Sequence, residues 1–358
     1  MREDRLCERD DTGGRSLVAS VPVIDIGGWA DAGPAARKAI AASVDEACRQ
    51  IGFMQIVGHG VDHAVGRVAA AIDRFFALSM EDKRRTIAPR PSINRGYTPP
   101  RSERLSHSLG VVSPDDLFEA FNVGSAVSDF PGLDLDPEIY AENIWPDVDG
   151  GADFRRDVET WFAAAGSVAR RMTEIFSVAL GLPADHLGRS TDHSIDVLRL
   201  NHYDVSDHVV VEDAQMGMGA HTDYGIVTVL WADAVPGLEI LLADGSWRSV
   251  LPDPGALLIN LGDLLARWTN DRWLSTMHRV TPPRDASGRL IRRRSAAFFH
   301  DGDADATITT LAPCRAADGS TSYADVTVAA HLAEKLSGSR GLELNPAAER
   351  EASRIPLR

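Results

Sequence analysis

The segment Gly219-Ala-His221-Thr-Asp223-Tyr-Gly225 sets a histidine and an aspartate two residues apart, and His278 follows in Ser275-Thr-Met-His278-Arg-Val. On an extended chain such residues project to one face, so His221 and Asp223 can grip one metal ion together while a later strand brings His278 to a third position. Two histidines and one carboxylate on a single face leave about three positions of an octahedral ion open, the donor set of non-haem iron(II) sites that handle oxygen. Zinc accepts the same trio. His202-Tyr-Asp204 is a second His-x-Asp in a chain of 11 histidines, and strand parity separates the two copies. In a regular strand over 195–203, Val197, Arg199, Asn201 and Tyr203 share one face, whereas Leu198, Leu200 and His202 share the other. The polar face suits a barrel mouth, which makes Asn201 and Tyr203 site candidates and turns His202 away. In Arg293-Arg-Ser295-Ala-Ala-Phe-Phe299 a guanidinium and a hydroxyl again point the same way, a suitable pair for fixing one carboxylate. Arg292 and Arg294 then face outward.

Elements able to position these groups are legible around them. A strand is expected at 21–26, a helix at 35–50, a strand at 53–57 and a helix at 62–78, with Ser79 and Asp82 resembling a capping box for the next turn. The longest apolar stripe at helical spacing runs over 153–180, from Val158 through Trp161, Phe162, Ala165, Val168 and Met172 to Phe176, and Gly181 ends it. From Ile195 the period changes to two. Short strands are expected at 195–203, 225–231, 237–242, 247–251, 256–261, 276–280, 295–299 and 307–311, with Asp244-Gly245 as a hairpin turn. This pattern predicts a mainly β sandwich or small barrel carrying packed helices. The Pro- and Asp-rich stretch 131–151 reads as a loop held down by Leu133, Leu135, Ile139 and Trp145.

The 358 residues carry a formal charge of −15 with ordinary apolar content (44%), enough for a sizeable core. So negative a chain repels a phosphate backbone, which argues against nucleic acid as a partner. No apolar run has the length of a membrane span, and the first residues lack the hydrophobic stretch of a signal peptide. Cys7, Cys48 and Cys314 are few and far apart, which argues against a disulfide framework or a cysteine-built zinc site. A cytoplasmic protein is the expectation; nothing in the sequence sets an oligomeric state.

The ordered set Asn201-x-Tyr203, His221-x-Asp223, His278 and Arg293-x-Ser295 resembles the isopenicillin N synthase-like family of iron(II)- and 2-oxoglutarate-dependent dioxygenases. The likeness extends to Val21-Pro-Val-Ile-Asp-Ile, Gly52-Phe-Met-Gln-Ile-Val-Gly-His-Gly60, Asp116-Leu-Phe-Glu-Ala-Phe-Asn122, Asn260-Leu-Gly-Asp263 and Trp268-Thr-Asn270, from about Val21 to Leu336. It implies a double-stranded β-helix, a jelly-roll barrel with N-terminal and long central helices. The chain then divides into a flexible tail (1–20), a helical and strand region packed on the barrel (21–152), the long helix with the catalytic core (153–336) and a C-terminal tail (337–358), together one catalytic unit. The resemblance makes His221, Asp223 and His278 iron ligands, and gives Arg293 and Ser295, with Tyr203 and Asn201, the distal carboxylate of 2-oxoglutarate. It implies oxidation, by hydroxylation first of all, of a small-molecule substrate by O2 with release of succinate and CO2. Around the substrate it places Arg95, Tyr97, Glu119, Phe121, Asn122 and Phe299. Two departures stand out: Gly58 replaces an Asn common before His-Gly, and an enlarged hairpin loop at 282–288 separates His278 from Arg293. An oxidase of the same fold that dispenses with 2-oxoglutarate is one alternative. A silent binding module is another, against which the intact trio and Arg-x-Ser pair argue.

Overall fold

The computed structural model describes residues 21–203, 211 and 215–341. The expected N-terminal tail, Cys7, Asp204 and the end of the C-terminal tail lie outside the described residues. An eight-stranded sheet has the order β1 (Val23–Asp25), β2 (Phe53–Val57), β10 (Leu257–Leu261), β7 (Val227–Ala232), β12 (Arg293–His300), β5 (Val197–Tyr203), β4 (Glu119–Gly124), β3 (Gly96–Thr98). A second sheet is ordered β6 (Met218–His221), β11 (His278–Val280), β8 (Leu238–Leu241), β9 (Trp247–Ser249). Every pairing in the two sheets is antiparallel except β1 with β2. Their inner faces meet in one apolar cluster that joins Phe118, Ala120 and Leu258 to Met218, Ile240 and Val280. This is the jelly-roll expected, and a short pair, β13 (Thr307–Ile308) with β14 (Val326–Thr327), lies outside it.

Helices α1 (Pro34–Gln50), α2 (Asp62–Phe76) and α4 (Gly151–Ala179) cover the outer face of the large sheet, with the short α3 (Met80–Arg84) after α2. The N-cap Ser79 of α3 accepts from the Asp82 amide, as the capping pattern predicts. At the end of α4, Gly181 takes φ +75°, and the Leu182 amide reaches back to the Ser177 carbonyl, a glycine-dependent stop. Alternation along the strands divides their side chains between the two layers. Leu198, Leu200, Ala296 and Phe298 enter the helix-side core, where Phe75 meets Phe121 at 4.4 Å and Phe154 at 5.2 Å. Among the described residues no helix is long and apolar enough to cross a membrane.

Several elements were not expected. Strand β6 is interrupted by Gly219 and reads locally as a turn, while β3, β14 and helix α5 (Asp263–Trp268) are too short to show a period. Helix α6 (Val328–Gly341) runs past the expected boundary at 336, so residues 337–341 belong to a helix rather than a tail. Its inward face carries His331, Lys335 and Ser339, all buried, which erases the apolar stripe by which a helix is recognised. The loop at 282–288 is indeed a hairpin, closed by the Arg284–Leu290 bridge, and it delivers Arg293 into register with Tyr203. Gly58 takes φ +65°, and a Cβ there would collide with Asp25, so this turn needs glycine. Because Phe75 is the hub of the aromatic cluster, Phe75→Ala is expected to cost about 3–5 kcal/mol. An unfolding free energy lowered by that amount in denaturant titration checks it.

Candidate metal centre and cosubstrate pocket

The pairing of β6 with β11 sets His221 directly across from His278, and their rings lie 4.3 Å apart. Asp223 follows β6 in a turn that brings its Oδ1 to 3.8 Å from His221 Nε2 and 3.6 Å from His278 Nε2. One donor atom from each of the three residues falls within 4.8 Å of the others, and all three residues are buried. Each Nδ1 faces a backbone carbonyl, Gly219 O at 2.7 Å for His221 and Thr276 O at 3.1 Å for His278. With the ring proton on that side, both Nε2 atoms offer lone pairs to the same point. Burial, then the neighbouring His278, push the His221 imidazole down to about 3, so it is neutral. The Asp223 carboxylate is divided in function: Oδ2 accepts from Thr228 Oγ1 and from Asn260 Nδ2 (2.6 Å), leaving Oδ1 for the histidines.

Asp263, first residue of α5, ties the ligand-bearing segments together. Its amide donates to the Asp223 carbonyl (2.8 Å), and its carboxylate accepts from Thr222 Oγ1 (3.0 Å) and Ser275 Oγ (2.7 Å). Lys335 of α6 completes the pairing at 3.0 Å. Burial works to raise the Asp263 carboxyl, but Lys335, His331 and the Ser275 hydroxyl hold it below the usual carboxylate range.

A cavity of about 550 Å³ opens between the sheets and reaches all three members of the trio. One end is built by register: Arg293 opposes Tyr203 and Ser295 opposes Asn201. Arg293 is 2% exposed, its guanidinium carbon lies 5.3 Å over the Tyr203 ring, and its Nε has no hydrogen-bond partner among the described residues. Among the described residues no carboxylate comes within ion-pair reach of it. Asn201 Nδ2 donates to Ser295 Oγ at 3.4 Å, while Asn201 Oδ1 is also unpartnered. Burial pushes the Tyr203 phenol up to about 12, so it stays protonated and able to donate. A buried guanidinium without a counter-charge is costly, and the donors around it fit a carboxylate.

The expected substrate residues divide. Arg95 and Phe299 line the cavity, with the Arg95 guanidinium satisfied by the carbonyls of Asn94, Ala141 and Ser125. Tyr97, Glu119, Phe121 and Asn122 do not line it, which corrects the expectation for these four. Strand β4 pairs Glu119 with His202, and that parity sends both to the helix side. There Glu119 meets Lys83 (2.9 Å), His202 (2.9 Å) and the Tyr97 hydroxyl (2.5 Å), and Phe121 joins the aromatic core. Burial works to raise the Glu119 carboxyl, but hydrogen bonds from His202, Tyr97 and Lys83 outweigh it. Asn122 has inward parity yet spends its amide on Thr98 Oγ1. His202 stacks on Phe76 behind the sheet, as parity requires. Thr228, Asn260, Glu103, Arg199, Tyr224 and Arg340 line the cavity without having been singled out; inward parity on β5 was the available signal for Arg199.

Residues 21–148 match the family described as non-haem dioxygenase in morphine synthesis N-terminal, and residues 194–302 match the 2OG-Fe(II) oxygenase superfamily. A 2-oxoglutarate-Fe(II) type oxidoreductase of Emericella nidulans is 32% identical over 311 residues, 86% of each chain. A homoarginine-6-hydroxylase of Oryza sativa subsp. japonica is 30% identical over 298 residues, 82% of this chain and 87% of the relative. Among solved structures, a full-length Neurospora crassa protein in complex with alpha-KG and thymine superposes with a TM-score of 0.78 at 24% identity, covering 90% of this chain and 99% of that one. Two facing imidazoles and an oriented carboxylate beside a carboxylate-binding end are what such an enzyme requires, and the matches run along the segments that build them. The chain belongs to the 2OG-Fe(II) oxygenase superfamily and is an iron(II)- and 2-oxoglutarate-dependent dioxygenase.

Proposed function

We propose that His221, Asp223 and His278 hold the iron(II), that Arg293 with Ser295, Tyr203 and Asn201 takes the distal carboxylate of 2-oxoglutarate, and that the enzyme hydroxylates a small organic molecule in the remaining cavity. The observation that carries this is the buried, uncompensated Arg293 guanidinium on the wall of the same cavity that the trio enters. Iron and 2-oxoglutarate, when bound, supply reduction of O2 with formation of succinate and CO2 and transfer of one oxygen atom to a C–H bond.

The protein's own tasks follow from its geometry. Thr228 and Asn260 fix the Asp223 carboxylate, so one oxygen is committed to the protein and one to the ion. The carbonyls of Gly219 and Thr276 fix the two imidazole rings. Leu230, Leu238, Val280 and Met218 wall the cosubstrate end with apolar surface, which excludes water and strengthens the Arg293 interaction. A small molecule fits the cavity volume, and the acidic surface disfavours nucleic acid. Cys48 and Cys314 are free buried thiols, in keeping with the cytoplasm we assign.

Replacing both His221 and Asp223 by Ala is expected to abolish stoichiometric iron binding in equilibrium dialysis, whereas His202→Ala, behind the sheet, retains it. Asn260→Ala leaves Asp223 Oδ2 held by Thr228 alone and is expected to weaken iron binding roughly tenfold or more in the same measurement. Arg293→Leu removes one partner of a desolvated charge pair, worth about 2–5 kcal/mol. Half-saturation by 2-oxoglutarate, followed by succinate release, is then expected to rise roughly thirtyfold to several thousandfold with iron content unchanged.

A further inference from the structure

Resting on that assignment of the metal and cosubstrate ends, the other end of the cavity identifies a substrate class. Along β5 and β12 the inward residues form successive layers: Arg293 with Tyr203, Ser295 with Asn201, Ala297 with Arg199, Phe299 with Val197. Arg199 therefore stands four residues beyond Tyr203 on the same face, roughly 13 Å along the strand. The small Ala297 opposite leaves room in front of it. A second arginine arrives from α6, because Arg340 also lines the cavity.

These two guanidiniums share one carboxylate. Glu103 Oε2 lies 2.7 Å from Arg199 Nη2, and its Oε1 lies 3.3 Å from Arg340 Nε. Glu103 is 5% exposed. Arg199 Nε is buried with no partner, while its guanidinium carbon sits 4.7 Å over the Phe118 ring. The remaining contact of Arg340 is to Asn94, a neutral amide. Burial, with Arg199 adding its repulsion, holds the Arg340 guanidinium below its ordinary range in spite of Glu103. By themselves Arg199, Arg340 and Glu103 carry one net positive charge in a low-dielectric cavity wall, a state that a second anion would relieve; the neighbouring Asp116 carboxyl, which burial pushes up to about 7, supplies only part of one. Ile195, Val197, Leu332, Leu336 and Phe299 give the same chamber an apolar wall, and Asp301, which also lines the cavity, is held toward its protonated form by burial.

The cluster is also held in place relative to the metal end. Glu103 stands two residues before the turn 105–109, whose Leu105 amide donates to Asp116 Oδ2 at 2.9 Å, and Asp116 Oδ1 accepts from the Gly219 amide of β6 at 2.8 Å. Asp116 thus couples the Glu103 segment to the strand that carries His221.

We propose that Arg199 and Arg340, organised by Glu103, bind the carboxylate of the substrate, and that the enzyme oxidises small organic acids with an apolar body, presenting a carbon between this anchor and the His221, Asp223, His278 trio. A purely structural role for the cluster, clamping α6 to the barrel, makes the opposite forecast for binding.

The test uses the full chain loaded anaerobically with iron(II) and 2-oxoglutarate. The probes are a set of aliphatic, aromatic and amino-acid carboxylates of six to twelve carbons, each paired with its primary amide and followed by calorimetry. At least one acid is expected to bind at least about tenfold more tightly than its amide, as befits a charge-assisted contact. Arg199→Gln and, separately, Arg340→Gln are each expected to weaken that acid by about thirtyfold or more, while binding of the amide changes far less. Acids and amides binding alike, no acid binding at all, or equal weakening of acid and amide by both variants would each overturn the proposal. A visible absorption band on adding 2-oxoglutarate to the wild-type iron protein is recorded first. A band without acid selectivity sinks this inference alone, whereas no band sinks the assignment beneath it.

Discussion

The antiparallel register that places His221 of β6 opposite His278 of β11 is the constraint on which the site depends. A slip of one residue in either strand would turn that strand's imidazole to the other face of the sheet, away from its partner. The strands are only four and three residues long, so their own ladder cannot secure that register. Side-chain bonds from outside the sheet do so instead: Asp263 holds Thr222 and Ser275, on the two segments that carry the ligands, and Asp116 holds the amide of Gly219. The carboxyl groups of these two residues are spent on the ligand-bearing segments, and Asp223 alone offers a carboxylate oxygen to the two histidines.

A second consequence concerns α6. Helices on the outer face of the large sheet bury ordinary apolar stripes, but α6 brings buried polar groups against the barrel mouth, with Lys335 on Asp263 and Arg340 on Glu103. The same helix therefore touches the network that orders the metal end and the wall that we assign to substrate. Ion pairs of this kind are weak contributors to net stability because desolvation offsets their attraction, yet removing one partner is expensive. They are better suited to fixing geometry than to holding the fold, which rests on the two apolar clusters.

Much of this was legible in residue spacing. The period-two runs and the apolar stripe of α4 reported the two layers, and parity on β5 correctly divided Asn201 and Tyr203 from His202. Strand parity groups Glu119 with Phe121 but cannot tell which face looks inward; the pairing of Glu119 with His202 decides that, and only tertiary structure supplies it. Helix α6 was illegible for a physical reason: its buried face mixes Val328 and Leu332 with His331, Lys335 and Ser339, and Lys335 finds its partner Asp263 far away in sequence. Arg199 stood on the inward face from the start, and Glu103, its partner 96 residues upstream, gives no local signal at all.

The central claim is that the trio and Arg293 together form one chelating site for iron(II) and 2-oxoglutarate. Anaerobic titration of 2-oxoglutarate into the iron(II)-loaded protein tests it most directly, through the visible metal-to-ligand charge-transfer band that appears when the cosubstrate's keto oxygen and carboxylate reach the metal. The account predicts a band that saturates at one equivalent per chain and is absent from the His221→Ala, Asp223→Ala variant. A band of undiminished intensity in that variant, or none in the wild-type protein, would contradict it.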